Sequence, residues 1–132
     1  MPSLFLARTY GEAESLLAEA RDYLAFCVRT AHAAVPPERK LHFALESSRL
    51  TARLVNLMAW LLLQRAVEAG EISQQAALAE APELARRRGI LANPSGEALP
   101  PVMQELLRRS HLLYVRVARL DEMARQRMQS DR

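Results

Sequence analysis

A chain of 132 residues can form one domain with a sizeable core but is too short for two. Half of it is hydrophobic and only 5% aromatic, with Ala, Leu, Arg and Glu dominant and Ile72 and Ile90 its only isoleucines, so the composition is all-α and disfavours a sheet. Its formal charge of +3 comes from 18 cationic side chains, of which only Lys40 is lysine, interspersed with 15 acidic ones, a pattern of ordinary helix surface rather than a polybasic tract.

Four glycines are too few for a phosphate-cradling loop, and neither GxGxxG nor GxxxxGK[ST] occurs. Cys27 is the sole cysteine, which rules out an intrachain disulfide or a cysteine-based zinc site and suits a reducing cytosol. The opening MPSLFLARTYGEAES lacks the basic start and sustained apolar run of a signal peptide. The apolar run at 54–63 is also too short to span a bilayer, which takes about 20 residues. A cytoplasmic protein without a membrane segment is expected, with residues 1–132 forming one helical-bundle domain.

The first helix is predicted over residues 4–32, with Ser3 as N-cap. Leu6, Tyr10, Ala13, Leu17, Ala20, Leu24, Cys27 and Ala31 follow one another by alternating steps of four and three, a seam of 3.5-residue period. Pro36 and Pro37 stop that helix, and Pro37 can be the first position of the next. The second helix runs over 37–69, ~50 Å at the α-helical rise. Gly70 is suited to its C′ position. Ser73 caps a short helix over Gln74–Glu80, and Pro82 breaks or restarts it. Residues 88–100, with Gly89, Asn93, Pro94, Ser95, Gly96 and Pro100, read as a loop. The last helix is predicted over 101–128 with the seam Val102, Leu106, Ser110, Leu113, Val117, Leu120 and Ala124. The chain therefore reads as a three-helix bundle: two long antiparallel helices, a short helical excursion and a third helix.

The second helix is apolar nearly all round. Leu50, Leu54, Leu57, Met58 and Leu61 lie on one flank with Phe43, and Ala44, Val55, Ala59, Leu62 and Ala66 on the next. Together they span an arc of roughly 200°, against about 100° for a helix with one buried stripe. Two neighbouring helices cover only part of such an arc. A second copy of the chain is the simplest cover for the rest, so a homodimer is expected, with Leu50, Leu54, Leu57, Met58, Leu61 and Leu62 as core or dimer residues. The alternative is that residues 71–100 fold over this helix.

Candidate sites are few. Arg49, Arg53, Asn56, Trp60 and Gln64 form the least apolar flank of the second helix, and a Trp among guanidinium and amide groups suits a partner-binding surface. The commoner arrangement is a semi-buried Trp with its N–H satisfied and arginines snorkelling past it. Asp121 falls about 60° from the centre of the last helix's seam and needs a partner, which Arg49 or Arg53 could supply. His32, His42 and His111 show no ligand spacing, Cys27 sits among alanines as a core residue would, and no second acid shares Asp121's seam. No catalytic, cofactor-binding or metal site is expected, and the chain is read as a non-enzyme. Arg86, Arg87 and Arg88 could touch phosphate, but without interleaved aromatics they suit a solvated helix end.

Three stretches in order, "FLARTYGEAESLLAEARDYLA", "ESSRLTARLVNLMAWLLLQRAVEAGEIS" and "LPPVMQELLRRSHLLYVRVARLDEM", resemble the bacterial family that includes the regulator of CtrA degradation, RcdA, many of whose members have unknown function. In the signature helix the matching residues are Arg49, Leu50, Thr51, Arg53, Leu54, Trp60, Leu61, Leu62, Gln64, Ala66 and Val67. The resemblance implies a dimerising three-helix bundle, cytoplasmic and non-enzymatic. It also implies an adaptor that helps the ClpXP protease take up cell-cycle regulators, with other adaptors and client regulators as partners. A helical regulator that binds nucleic acid through basic surface is the alternative from another class.

Overall fold

A computed structural model describes residues 3–30, 36–84 and 99–131, with four helices and, among those residues, no strand. Helix α1 is Ser3–Arg29, α2 is Pro37–Glu68, α3 is Gln74–Glu80 and α4 is Pro101–Ser130. Ser3, expected as a cap, is the first described residue of α1. His32, Ala31, Arg86 to Arg88 and most of the predicted loop lie outside the described residues.

The local signals act as their chemistry requires. Pro37 opens α2 at a position where its missing N–H costs nothing. At the other end Gly70 adopts φ +76°, and Gly70 N–H reaches Val67 O (3.0 Å) while Glu71 N–H reaches Ala66 O (2.9 Å), so two otherwise orphaned carbonyls are satisfied. Ser73 Oγ accepts from Ala76 N–H at 3.1 Å and caps α3. Gln104 ties the start of α4 down by donating to Leu99 O at 2.6 Å.

Side-chain pairs fix the helix directions. Arg65 lies 4.5 Å from the Tyr10 ring centre and Tyr23 packs on Phe43, so α1 and α2 are antiparallel. Arg109 pairs with Glu19 and Arg116 with Glu12, so α1 and α4 are antiparallel as well. Consequently α2 and α4 run parallel: Arg53 meets Leu107 and Ser110, and about two turns further along α2 Trp60 meets Asp121, about three turns past Ser110 on α4. Two parallel neighbours need a crossover, and residues 69–100 provide it.

The core is built from one face of each long helix. Leu6, Ala13, Leu16 and Ala20 contribute from α1, and Leu50, Leu54, Leu57, Trp60 and Leu61 from α2. Helix α4 contributes Met103, Leu106, Leu107, Leu113, Tyr114, Val117 and Ala118. The α1 seam predicted from spacing is partly correct: Leu6, Ala13 and Ala20 are buried, whereas Tyr10, Leu17, Leu24 and Cys27 are half-buried. In α4, Leu106, Ser110, Leu113 and Val117 are buried, but Val102 is exposed, and Leu120 and Ala124 are half-buried. Helices that face two neighbours have a broader buried face than one 3.5-period seam, which is how Leu16, Met103, Leu107, Tyr114 and Ala118 come to be inside as well.

Candidate interaction surface

The polar flank of α2 points inward. Arg53 and Trp60 are fully buried and Gln64 nearly so, so Arg49, Arg53, Asn56, Trp60 and Gln64 do not form one accessible stripe; the commoner arrangement holds, a buried Trp with its N–H satisfied. The physical reason lies on α4, which supplies polar partners to Arg53 and Trp60 where the helix wheel alone shows only a gap in the apolar arc. Arg53 Nη1 donates to Leu107 O at 3.0 Å and to Ser110 Oγ at 2.6 Å. Burial pushes its pKa down, opposed by the charge of Glu46 and by Tyr114. Ser110 in an otherwise apolar seam is thereby explained. Arg49 stays exposed and pairs with the buried Glu46 at 3.1 Å, and half-buried Asn56 donates to Ala52 O at 2.7 Å.

Asp121 is buried and paired, but not with Arg49 or Arg53. Its Oδ1 accepts from Trp60 Nε1 at 2.8 Å and from Arg125 Nε at 2.9 Å, and its Oδ2 accepts from Leu84 N–H at 3.1 Å. Arg125, one turn further along α4, is the charge partner, because i to i+4 spacing brings it over the carboxylate. Arg125 also donates to Leu78 O and Ala81 O at 2.9 and 3.2 Å, and Tyr114 Oη donates to Leu84 O at 2.7 Å. These bonds fasten the end of α3 and residues 81–84 beside α2. Sequence reading found Asp121 and Trp60 separately; nothing in the spacing tells that they meet.

The surface that is accessible is the apolar one. Leu41, Leu45, Ser48, Ala52, Val55, Ala59, Leu62 and Ala66 follow by steps of four and three. At 100° per residue they form a stripe roughly 100° wide, opposite the buried leucines. Leu41 is 63% exposed, Leu45 52%, Val55 56% and Leu62 50%. Ala52, Ala59 and Ala66 are half-buried. Of the residues expected at core or interface, Leu50, Leu54, Leu57 and Leu61 are core, Met58 packs at its edge, and Leu62 is on this outer stripe. Among the described residues of the crossover, Ala81, Pro82 and Glu83 approach the flank of the stripe at Val55 and Ala59 around a depression of about 400 Å³. A second depression, of about 620 Å³, lies between Ser47, Ser48, Thr51, Ala52, Val55 and Asn56.

Other candidates take unremarkable places. His42 and His111 are half-buried on separate helices, and no cluster of three metal-ligating side chains occurs among the described residues. Cys27 lies beside Tyr23, whose phenol is pushed up to about 12 by burial first and then by Cys27. The arginines of the α1–α4 face are neutralised locally: Arg108 by Glu105, Arg109 by Glu19 and Arg116 by Glu12. No helix among the described residues is long and apolar enough to cross a membrane.

A helical bundle whose longest helix keeps an apolar seam outside matches a family model described as a protein of unknown function, DUF1465, over residues 1–132, and the chain belongs to that family. Among solved structures it is similar to RcdA from Caulobacter crescentus CB15, at 36% identity over 94% of this chain and 93% of that one, with a TM-score of 0.74. The likeness in sequence and the likeness in fold thus lead to one relative. No curated protein matches the chain.

Proposed function

We propose that the chain is a non-catalytic protein-interaction module that acts as a homodimer, joined through the outer seam of α2. The observation that carries this reading is the seam itself: eight positions of 3.5-residue period without a charged side chain, running from Leu41 to Ala66 on the face opposite the core. Knobs-into-holes packing requires that period. Small residues at Ser48, Ala52, Ala59 and Ala66 let a partner helix approach closely. A second copy offers an identical seam, and two-fold homodimers are the commonest oligomers. Arg49 and Asn56, the members of the polar flank left accessible or half-accessible, edge the seam and are the partner-binding candidates that remain.

The likeness to RcdA supports a regulatory or adaptor role, and the resemblance in sequence implies the finer reading, an adaptor or regulator in ClpXP-dependent turnover of cell-cycle factors. Such a role needs surface rather than a reaction site. Two tests address the two levels. The dimer predicts a solution mass of about twice the 14.9 kDa chain mass. The adaptor role predicts that removing the protein from its host lengthens the lifetime of CtrA after protein synthesis is stopped. An unchanged lifetime would overturn the adaptor reading and leave the dimer standing.

A further inference from the structure

Residues 81–84, Ala-Pro-Glu-Leu, are held in an unusual way. Ala81 is extended (φ −71°, ψ 146°), and this stretch belongs to no helix. Its main chain is gripped by side chains of α4. Asp121 accepts the Leu84 N–H, Tyr114 donates to Leu84 O, and Arg125 donates to Ala81 O. Trp60 holds Asp121 from the far side. The Leu84 side chain is fully buried, while Pro82 and Glu83 are only half-buried.

These contacts are those with which a protein reads a short extended peptide: backbone groups for grip and one pocket for one side chain. Backbone groups are the same in every sequence, so what the cleft demands is an extended segment with a leucine in the Leu84 position. We propose that the cleft between α2 and α4 is a peptide-binding groove that residues 81–84 occupy in cis, and that a leucine-bearing extended segment of a partner protein takes their place. The proposal goes beyond the dimer and uses different residues, so its failure would leave the mass measurement untouched.

Tethering gives the internal segment an effective concentration of millimolar order, so a free peptide competes at a disadvantage. The probe is a fluorescent peptide of sequence AEAPEL, copied from residues 79–84, with AEAPES as its control. Leu84→Ser removes the internal anchor. This variant should bind AEAPEL at least ~10-fold more tightly than the unaltered protein does, because the tethered competitor is gone. AEAPES should not bind, and adding Asp121→Asn should abolish the gain. A folded Leu84→Ser variant that does not distinguish the two peptides overturns the proposal.

If Leu84→Ser fails to fold, hydrogen exchange on the unaltered protein decides. Millimolar AEAPEL, but not AEAPES, should accelerate exchange of the Leu84 amide while core amides stay protected. Exchange that does not respond, or a segment 81–84 that leaves only to enter a second copy, contradicts the groove.

Discussion

The two faces of α2 reverse the usual assignment of polar and apolar. The inner face carries Arg53, Trp60 and Gln64 to the centre of the bundle, and the outer face leaves Leu41, Leu45, Val55 and Leu62 open. Buried polar groups are tolerated only when satisfied. Here Ser110 Oγ and Leu107 O accept from Arg53 and Asp121 accepts from Trp60, all on α4, while Gln64 Nε2 is buried without a hydrogen-bond partner among the described residues. Exposed apolar residues singly need no explanation, but a continuous helical stripe does. The difference teaches that polarity along a helix marks the inside when a neighbour has complementary groups, and that leftover grease marks where a further protein is needed.

That contrast can be broken most severely at Asp121. Asp121→Ala strands Arg125, Trp60 Nε1 and the Leu84 amide together and should cost about 3 to 5 kcal/mol, as when one partner of a buried pair is removed. Denaturant unfolding measures it; a loss near zero would show the node to be idle.

Trp60→Ala tests the inner face by packing. It should cost about 3 to 5 kcal/mol, the range for truncating a buried aromatic. Leu62→Ala, on the outer face, should change the unfolding free energy of the isolated chain by no more than about 0.5 kcal/mol. Equal losses at the two positions would erase the distinction between the faces.

Much of this was legible in the sequence, and the exceptions share one cause. Pro37, Gly70 and Ser73 fixed helix ends by chemistry within a few residues, and the observed ends follow them. Leu50, Leu54, Leu57 and Leu61 were recognisable as core because their spacing needs no knowledge of the neighbours. The partner of Asp121 was misread, and the burial of the Trp60 flank was legible only as the commoner of two arrangements, since both depend on how α4 and the crossover approach. Parallel α2 and α4, imposed by that crossover, bring Asp121 to Trp60 and Leu84 to both. No single-helix periodicity carries such information. The α2 excess of apolar surface was readable as a quantity, but which arc stayed outside was not.

A small effect is expected at the surface pairs between α1 and α4. The Arg109 hydrogen bond holds the Glu19 carboxyl below its ordinary value. A carboxylate depressed in the folded state stabilises above its unfolded pKa, and that contribution fades as pH falls through the folded value. Both groups are largely exposed, so screening limits the pair to under about 1 kcal/mol. Glu19→Gln should therefore lower stability slightly at pH 7 and not at pH 2, in unfolding curves compared at the two pH values. A loss as large as that of Trp60→Ala would contradict the ranking of core over surface.

The account rests most heavily on the outer seam, and solution mass tests it most directly. Light scattering or sedimentation at micromolar concentration should give about twice 14.9 kDa for the unaltered chain. The double substitution Val55→Glu with Leu62→Glu, which places two charges in the seam and none in the core, should give a single folded chain of 14.9 kDa with unchanged helicity. An unaltered protein that runs as a 14.9 kDa monomer, or a double variant that stays dimeric, would contradict the central claim.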